Sequence, residues 1–209
     1  MDMGNLELQG KYVRLEPMEL GHVDGLAAAG ARGDAELYRW SPVPRTREEA
    51  QRYVETALAW RDAGTAVPFV TVRLADGVVI GSTRFWQIER WAWPAGHAQY
   101  GRKTPDAVEI GYTWLSPEAL RTAANTEAKL LMLAHAFEEW KVWRVCLHTD
   151  VRNTRSRAAI ERIGGKFEGV LRAHRMAADF IPRNSARYSI LAGEWAEVKR
   201  RLEERLAKG

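Results

Sequence analysis

Residues able to do chemistry are sparse in this 209-residue chain, and their spacing narrows the options. The five histidines show no metal-ligand spacing, so a zinc centre is not expected. Neither a Gly-x-Ser-x-Gly elbow nor a Gly-Lys-Thr phosphate loop occurs. Cys146 sits in the apolar run Trp143 to Leu147 and reads as a packed thiol, while His148 near the end of that run is a reserve proton acceptor. Trp86, Trp91 and Trp93 flank residues 89–106, an aperiodic stretch broken by Pro94, Gly96, Gly101 and Pro105. A loop of that length is more often functional than idle, and the three indoles could wall a binding pocket. At the carboxyl end of the strand over 107–115 sits a turn that feeds a helix N-terminus, where free backbone N–H groups suit a phosphate.

The elements that must position these residues follow from periodicity. Residues 11–18 alternate as a half-buried strand, 21–30 suit a short helix, and Trp40-Ser41-Pro42-Val43-Pro44 is a rigid extended connector. Thr46 opens a helix to Asp62, with Glu49 completing a capping box. Residues 66–74 and 78–88 are strands around an Asp76-Gly77 turn, a strong hairpin signal. A strand over 107–115, a helix from about Thr126 to Trp140 and a strand over 143–149 make a β–α–β crossover, hence two parallel strands. A helix over 154–163, strands near 166–176 and 185–192, and a helix over 194–207 complete the chain. The expectation is one α/β domain over residues 1–209, with a mixed sheet.

Composition bounds the function. Hydrophobic residues make up 46% and charged residues 28%, a globular balance that excludes disorder as the dominant state. No apolar run approaches the roughly 20 residues that span a bilayer, and mean hydropathy is −0.38. The start MDMGNLELQG does not read as a signal peptide, and one cysteine cannot form an internal disulfide, so a cytoplasmic location is expected. The net charge of +4 is spread among carboxylates, which argues against a nucleic-acid partner.

Two segments are more specific. EIGYTWLSPEALRTAANTEAKLLMLAHAF, Glu109 to Phe137, and DVRNTRSRAAIERIGGKFEGVLRAHR, Asp150 to Arg175, together resemble the GCN5-related N-acetyltransferases (GNAT). The Glu-Ile-Gly-Tyr strand, Thr126-Glu127-Ala128, and Asn153-x-x-Ser156 before Ala159-Ile160-Glu161-x-x-Gly164 look like the branch of the ribosomal-protein N-terminal acetyltransferases, RimJ and RimL. The likeness implies a strongly twisted sheet with splayed central parallel strands and helices on both faces. It also implies acetyl-CoA as co-substrate without a metal. The pantetheine would lie along the 107–115 strand near Trp114 and Leu115, and the pyrophosphate on Leu120, Arg121, Thr122, Ala123, Ala124, Asn125 and Thr126.

Against the family's loop pattern (Arg or Gln, two residues, Gly, one residue, Gly or Ala), Leu120, Ala123 and Asn125 are departures and Arg121 is one residue out of step. Ala123 would be strained if its position needs positive φ, and Asn125 is the expected helix cap. The resemblance assigns Glu109 as the base, with partial burial expected to raise its pKa. A backbone N–H at a strand bulge near Tyr112 would polarise the thioester. Ser156 would serve the departing sulfur, and Asn153 would hold the pantetheine or cap its helix. The implied reaction is direct attack of an amine, a protein N-terminus or a small molecule, on acetyl-CoA. In the acceptor site, Trp86, Trp91 and Trp93 would join Glu109. The competing expectation is a binding module that the altered loop has left catalytically weak. A homodimer through sheet edges or the last helix is compatible with this fold.

Overall fold

The computed structural model describes residues 6–177 and 180–208. Its strands are β1 (Leu8–Gln9), β2 (Val13–Pro17), β3 (Ala66–Arg73), β4 (Val78–Glu89), β5 (Ala107–Leu115), β6 (Arg144–Asp150), β7 (Lys166–Met176) and β8 (Pro182–Leu191). They form one sheet in the order β1-β2-β3-β4-β5-β6-β8-β7. The helices are α1 (Val23–Ala31), α2 (Arg47–Asp62), α3 (Ala123–Ala134), α4 (Thr154–Arg162) and α5 (Trp195–Ala207). The β5–β6 pair is parallel, as the crossover requires, and the remaining neighbours are antiparallel. Among the described residues, no helix is long and apolar enough to cross a membrane.

Alternation in β4 and β5 divides their side chains between two cores. Phe85, Val108, Ile110 and Leu115 join Met132 and Leu133 of α3 and Val198 and Leu202 of α5. On the other face Val70, Val72 and Trp114 join Leu26 of α1 and Val54 of α2. Helices therefore cover both faces. α2 begins where the capping box places it: Thr46 Oγ1 accepts from Glu49 N–H at 3.2 Å, and the Glu49 carboxylate accepts from Thr46 N–H.

α3 begins at Ala123 rather than near Thr126. Its cap is Thr122, whose Oγ1 accepts from Ala124 N–H at 3.2 Å, so Asn125 lies inside the first turn instead of capping it. The helix continues through a π turn, His135–Glu139, closed by Trp140 N–H donating to His135 O. Inside the sheet, Lys129 of α3 is 4% exposed and donates to Thr113 Oγ1 at 2.6 Å and Thr83 Oγ1 at 3.1 Å. Burial pushes its pKa down from 10.5 to about 7. The unfolded chain thus binds more protons than the folded one between those values, and stability from this group rises with pH across that window. Lys129→Met is expected to stabilise by roughly 1–3 kcal/mol near pH 6, with the gain fading towards pH 10. Melting temperatures at the two pH values check this.

Candidate functional site

β5 and β6 pair only through Ala107↔Arg144, Val108↔Val145 and Glu109↔Cys146. Beyond that point β5 stays on β4 through Leu115, and β6 stays on β8 through Asp150. Their facing edges separate, leaving β5 from Gly111 onward with a free edge to which an extended chain can add as a strand. Trp114 and Leu115 turn their side chains into the two cores, so only their backbone belongs to this edge. Beyond β5 the chain leads to the N-terminus of α3. There Ala123 and Asn125 carry amides that a helix start leaves without intrahelical partners.

No strain falls on Ala123, since it is a helical residue. The left-handed conformation is carried instead by Arg121, at φ 61°. The absent glycine therefore does not keep the loop from presenting its amides. Thr126 is the fourth residue of α3 and half-buried, and Leu120 packs against the core.

Opposite Thr83 the ladder is irregular. Ser82↔Trp114 and Arg84↔Gly111 leave Tyr112 and Thr113 facing Thr83 alone, which is a bulge in β5. Tyr112 takes φ 52° there. Burial raises its hydroxyl pKa, although Arg84 and Arg175 oppose this, so it remains protonated. Where the strands part, Glu109 is 3% exposed. Arg175 Nη2 donates to Oε2 at 2.9 Å, and His148 Nδ1 stands 3.0 Å from the same oxygen, off hydrogen-bond alignment. Burial pushes the Glu109 carboxyl up, but His148 and Arg175 outweigh it and leave the pKa below the usual carboxylate range. The expected upward shift is thus reversed, because a strand carboxylate here is surrounded by cationic donors. Glu109, Gln87, His148 and His174 line a polar cavity of about 80 Å³. Burial, Arg175 and the neighbouring His148 push His174 down to about 4, leaving it neutral at pH 7.

Asn153 caps α4, its Oδ1 accepting from Ser156 N–H at 3.0 Å, and this places Ser156 in the first turn just past the open end of β6. The three tryptophans do not act together. Trp86 packs on Trp60 and Tyr112, with ring centroids at 4.5 and 5.4 Å. Trp93 instead belongs to the internal packing of the 90–106 loop, while the Trp91 indole is exposed. Asp106, fully buried, accepts from Trp91 N–H at 2.8 Å and Trp93 Nε1–H at 2.9 Å, and Trp93 stacks on His97. That loop joins Glu89 to Ala107, where β5 and β6 are still paired, so it departs from the closed end of the gap. None of the three indoles, Trp86 included, is among the residues that bound the larger cavity.

That cavity, about 460 Å³, was not anticipated. The connector Pro42-Val43-Pro44, Tyr53 and Trp60 of α2, and Arg84 and Tyr112 of the sheet bound it. Two signals stood in the sequence: a connector stiffened by two prolines, and an arginine between Ser82 and Trp86 on one face of a strand.

Comparison with known proteins agrees with this geometry. Residues 13–166 match the Acetyltransferase (GNAT) domain family. YdaF of Bacillus subtilis (strain 168), which carries the name of a ribosomal N-acetyltransferase, is 26% identical over 191 residues, covering 90% of this chain and 96% of its own. A GCN5-related N-acetyltransferase from Brucella melitensis superposes with a TM-score of 0.81 at 27% identity, over 97% of this chain and 86% of that one. Mycobacterium smegmatis RimJ, whose structure is a complex with CoA-disulfide, shares the fold at 20% identity with a TM-score of 0.74, over 92% of this chain and 88% of its own. The chain belongs to the GNAT acetyltransferase family, with the mixed, splayed α/β sheet expected of it.

Proposed function

We propose that this protein transfers the acetyl group of acetyl-CoA to a primary amine. The observation that carries the reading is the parting of β5 from β6 after Glu109↔Cys146, beside the first-turn amides of α3. The free edge of β5 would hold the pantetheine, and the Ala123 and Asn125 amides the pyrophosphate, with the Arg121 guanidinium adding charge from the preceding loop. Acetyl-CoA, when bound, supplies the acetyl group as a thioester that the amine attacks directly.

The chain's own residues then have three tasks. Backbone N–H groups at the Tyr112 bulge polarise the reacting carbonyl. The Glu109–His148 pair takes the proton of the amine: with its depressed pKa Glu109 is a weak base by itself, and it stabilises the imidazolium that forms at its side. Ser156, at the start of α4, supplies a hydroxyl for the departing sulfur. Holding both reactants in the gap provides a large share of the rate. The name of YdaF, a ribosomal N-acetyltransferase, makes a protein amine, such as an N-terminus, one acceptor class, and a cavity of about 460 Å³ makes a small amine the other.

Acetyl-CoA at 100 times its dissociation constant should add about 2.7 kcal/mol of stability, a rise of roughly 5–10 °C in melting temperature for a chain of this size. Acetyl-CoA-dependent thiol release with amines completes the test. A melting shift without thiol release on any amine would make the protein a binding module, and no shift would overturn the reading.

A further inference from the structure

Arg84 is 1% exposed, and among the described residues its Nε and Nη2 atoms have no hydrogen-bond partner. Its guanidinium carbon lies 4.2 Å from the ring centroid of Tyr112, 5.0 Å from that of Tyr53 and 5.2 Å from that of Trp60. Three aromatic faces partly offset the burial of a cation, but they supply no acceptor for its N–H groups. A buried guanidinium with unmade hydrogen bonds is a costly feature to keep. Nε and Nη2 share one edge of the guanidinium plane, the edge that meets a carboxylate with two parallel N–H···O bonds. Arg84 lines the cavity bounded by Pro42-Val43-Pro44 and α2, but Nε and Nη2 are closed to solvent, so a carboxylate entering from the cavity reaches that edge through a shift of the side chains of Tyr53, Trp60 or Tyr112 packed around the guanidinium. The carboxylate of Glu49, also on the cavity wall, is already engaged by the N–H groups of Arg45 and Thr46.

We infer that Arg84 is the anchor for a carboxylate on the acetyl acceptor, so that the acceptor is a small amine bearing a carboxylate and an apolar or aromatic body: an amino acid or an amine of that kind. This rests on the transferase reading and extends it to the substrate class. The anion would sit on Arg84, the body against Tyr53 and Trp60, and the amine would reach towards the Tyr112 bulge, which borders the same cavity. A free protein N-terminus lacks that anion beside its amine and would leave the edge unmatched.

The test measures kcat/KM by thiol release for the twenty standard amino acids, each beside its primary amide, with wild type and Arg84→Gln. The expected result is at least one amino acid preferred over its own amide by about 100-fold, a preference that Arg84→Gln brings near unity while the melting shift with acetyl-CoA is unchanged. Arg84→Lys, which keeps the charge and loses the fork, should retain roughly a tenth of the preference and serves if the glutamine variant does not fold. Equal turnover of acids and amides, turnover of peptides with no amino acid accepted, or a preference that survives in both variants would overturn the assignment while leaving the transferase reading intact. Absence of the acetyl-CoA melting shift in wild type would overturn both.

Discussion

Glu127→Ala is expected to lower the unfolding free energy by about 4 kcal/mol, or roughly 10 °C in melting temperature for a chain of this size. The Glu127 carboxylate is 5% exposed and accepts three backbone N–H groups from the other end of the chain: Lys11 at 2.7 Å, Tyr12 at 2.7 Å and Val13 at 2.8 Å. It ties the start of β2 to the first turns of α3 across more than 110 residues of sequence. Truncation leaves three donors without their acceptor, one of them on fully buried Val13. Glu127→Gln, which keeps the shape but loses the charge and one acceptor, should lose about half as much. Gly10 meets the same carboxylate: a Cβ there would lie 2.3 Å from Glu127 Cδ, so Gly10→Ala should destabilise by displacing the clamp. Urea midpoints at constant m-value check all three. An unchanged midpoint for Glu127→Ala would mean that apolar packing alone holds the N-terminal hairpin.

Glu109→Gln is expected to lower kcat/KM about 100-fold with no change in the melting shift produced by acetyl-CoA. The carboxylate sits where β5 and β6 part, with Arg175 and His148 on one oxygen. Its pKa lies below the usual carboxylate range, so the carboxylate itself stays ionised throughout pH 6–9 and does not titrate within that interval. The same depression stabilises the fold above the ordinary carboxylate pKa and is lost as pH falls through the folded value. Rate profiles and acid-unfolding curves of wild type and variant separate the two effects. A variant that turns over at the wild-type rate at pH 7 would remove Glu109 from the chemistry.

Elements that declare themselves through local rules were legible before any coordinates. The Thr46–Glu49 capping box and the Asp76-Gly77 turn each depend on residues within four positions of one another, and both stand where the spacing places them. The parallel β5–β6 pair follows from the handed crossover. Thr126-Glu127-Ala128 misled because it resembles a helix start, whereas Thr122 before two alanines makes the cap. What Glu127 does depends on a partner segment far away in sequence, so no window on the chain could reveal it. Trp91 and Trp93 showed their position at a long loop but not that buried Asp106 holds the Trp93 indole and the Trp91 backbone while the Trp91 indole stays exposed. Arg84 carries no periodic signal as one cation in a mixed strand, and its meaning depends on the aromatic rings of α2 folding over it.

The two liganding regions are built from separable parts. The parted edges keep one intact neighbour each, β4 for β5 and β8 for β6, so the slot between them stands open without any strand giving up its other ladder. The second chamber is bounded by the proline-stiffened connector and α2 and meets the β5 edge of that slot at Tyr112. Substitutions at Val43 or Tyr53 would therefore reshape the proposed recipient chamber, whereas Trp60, packed on Tyr112 at 5.4 Å, would also disturb the bulge on the donor side, so retargeting of this scaffold is confined to a handful of positions.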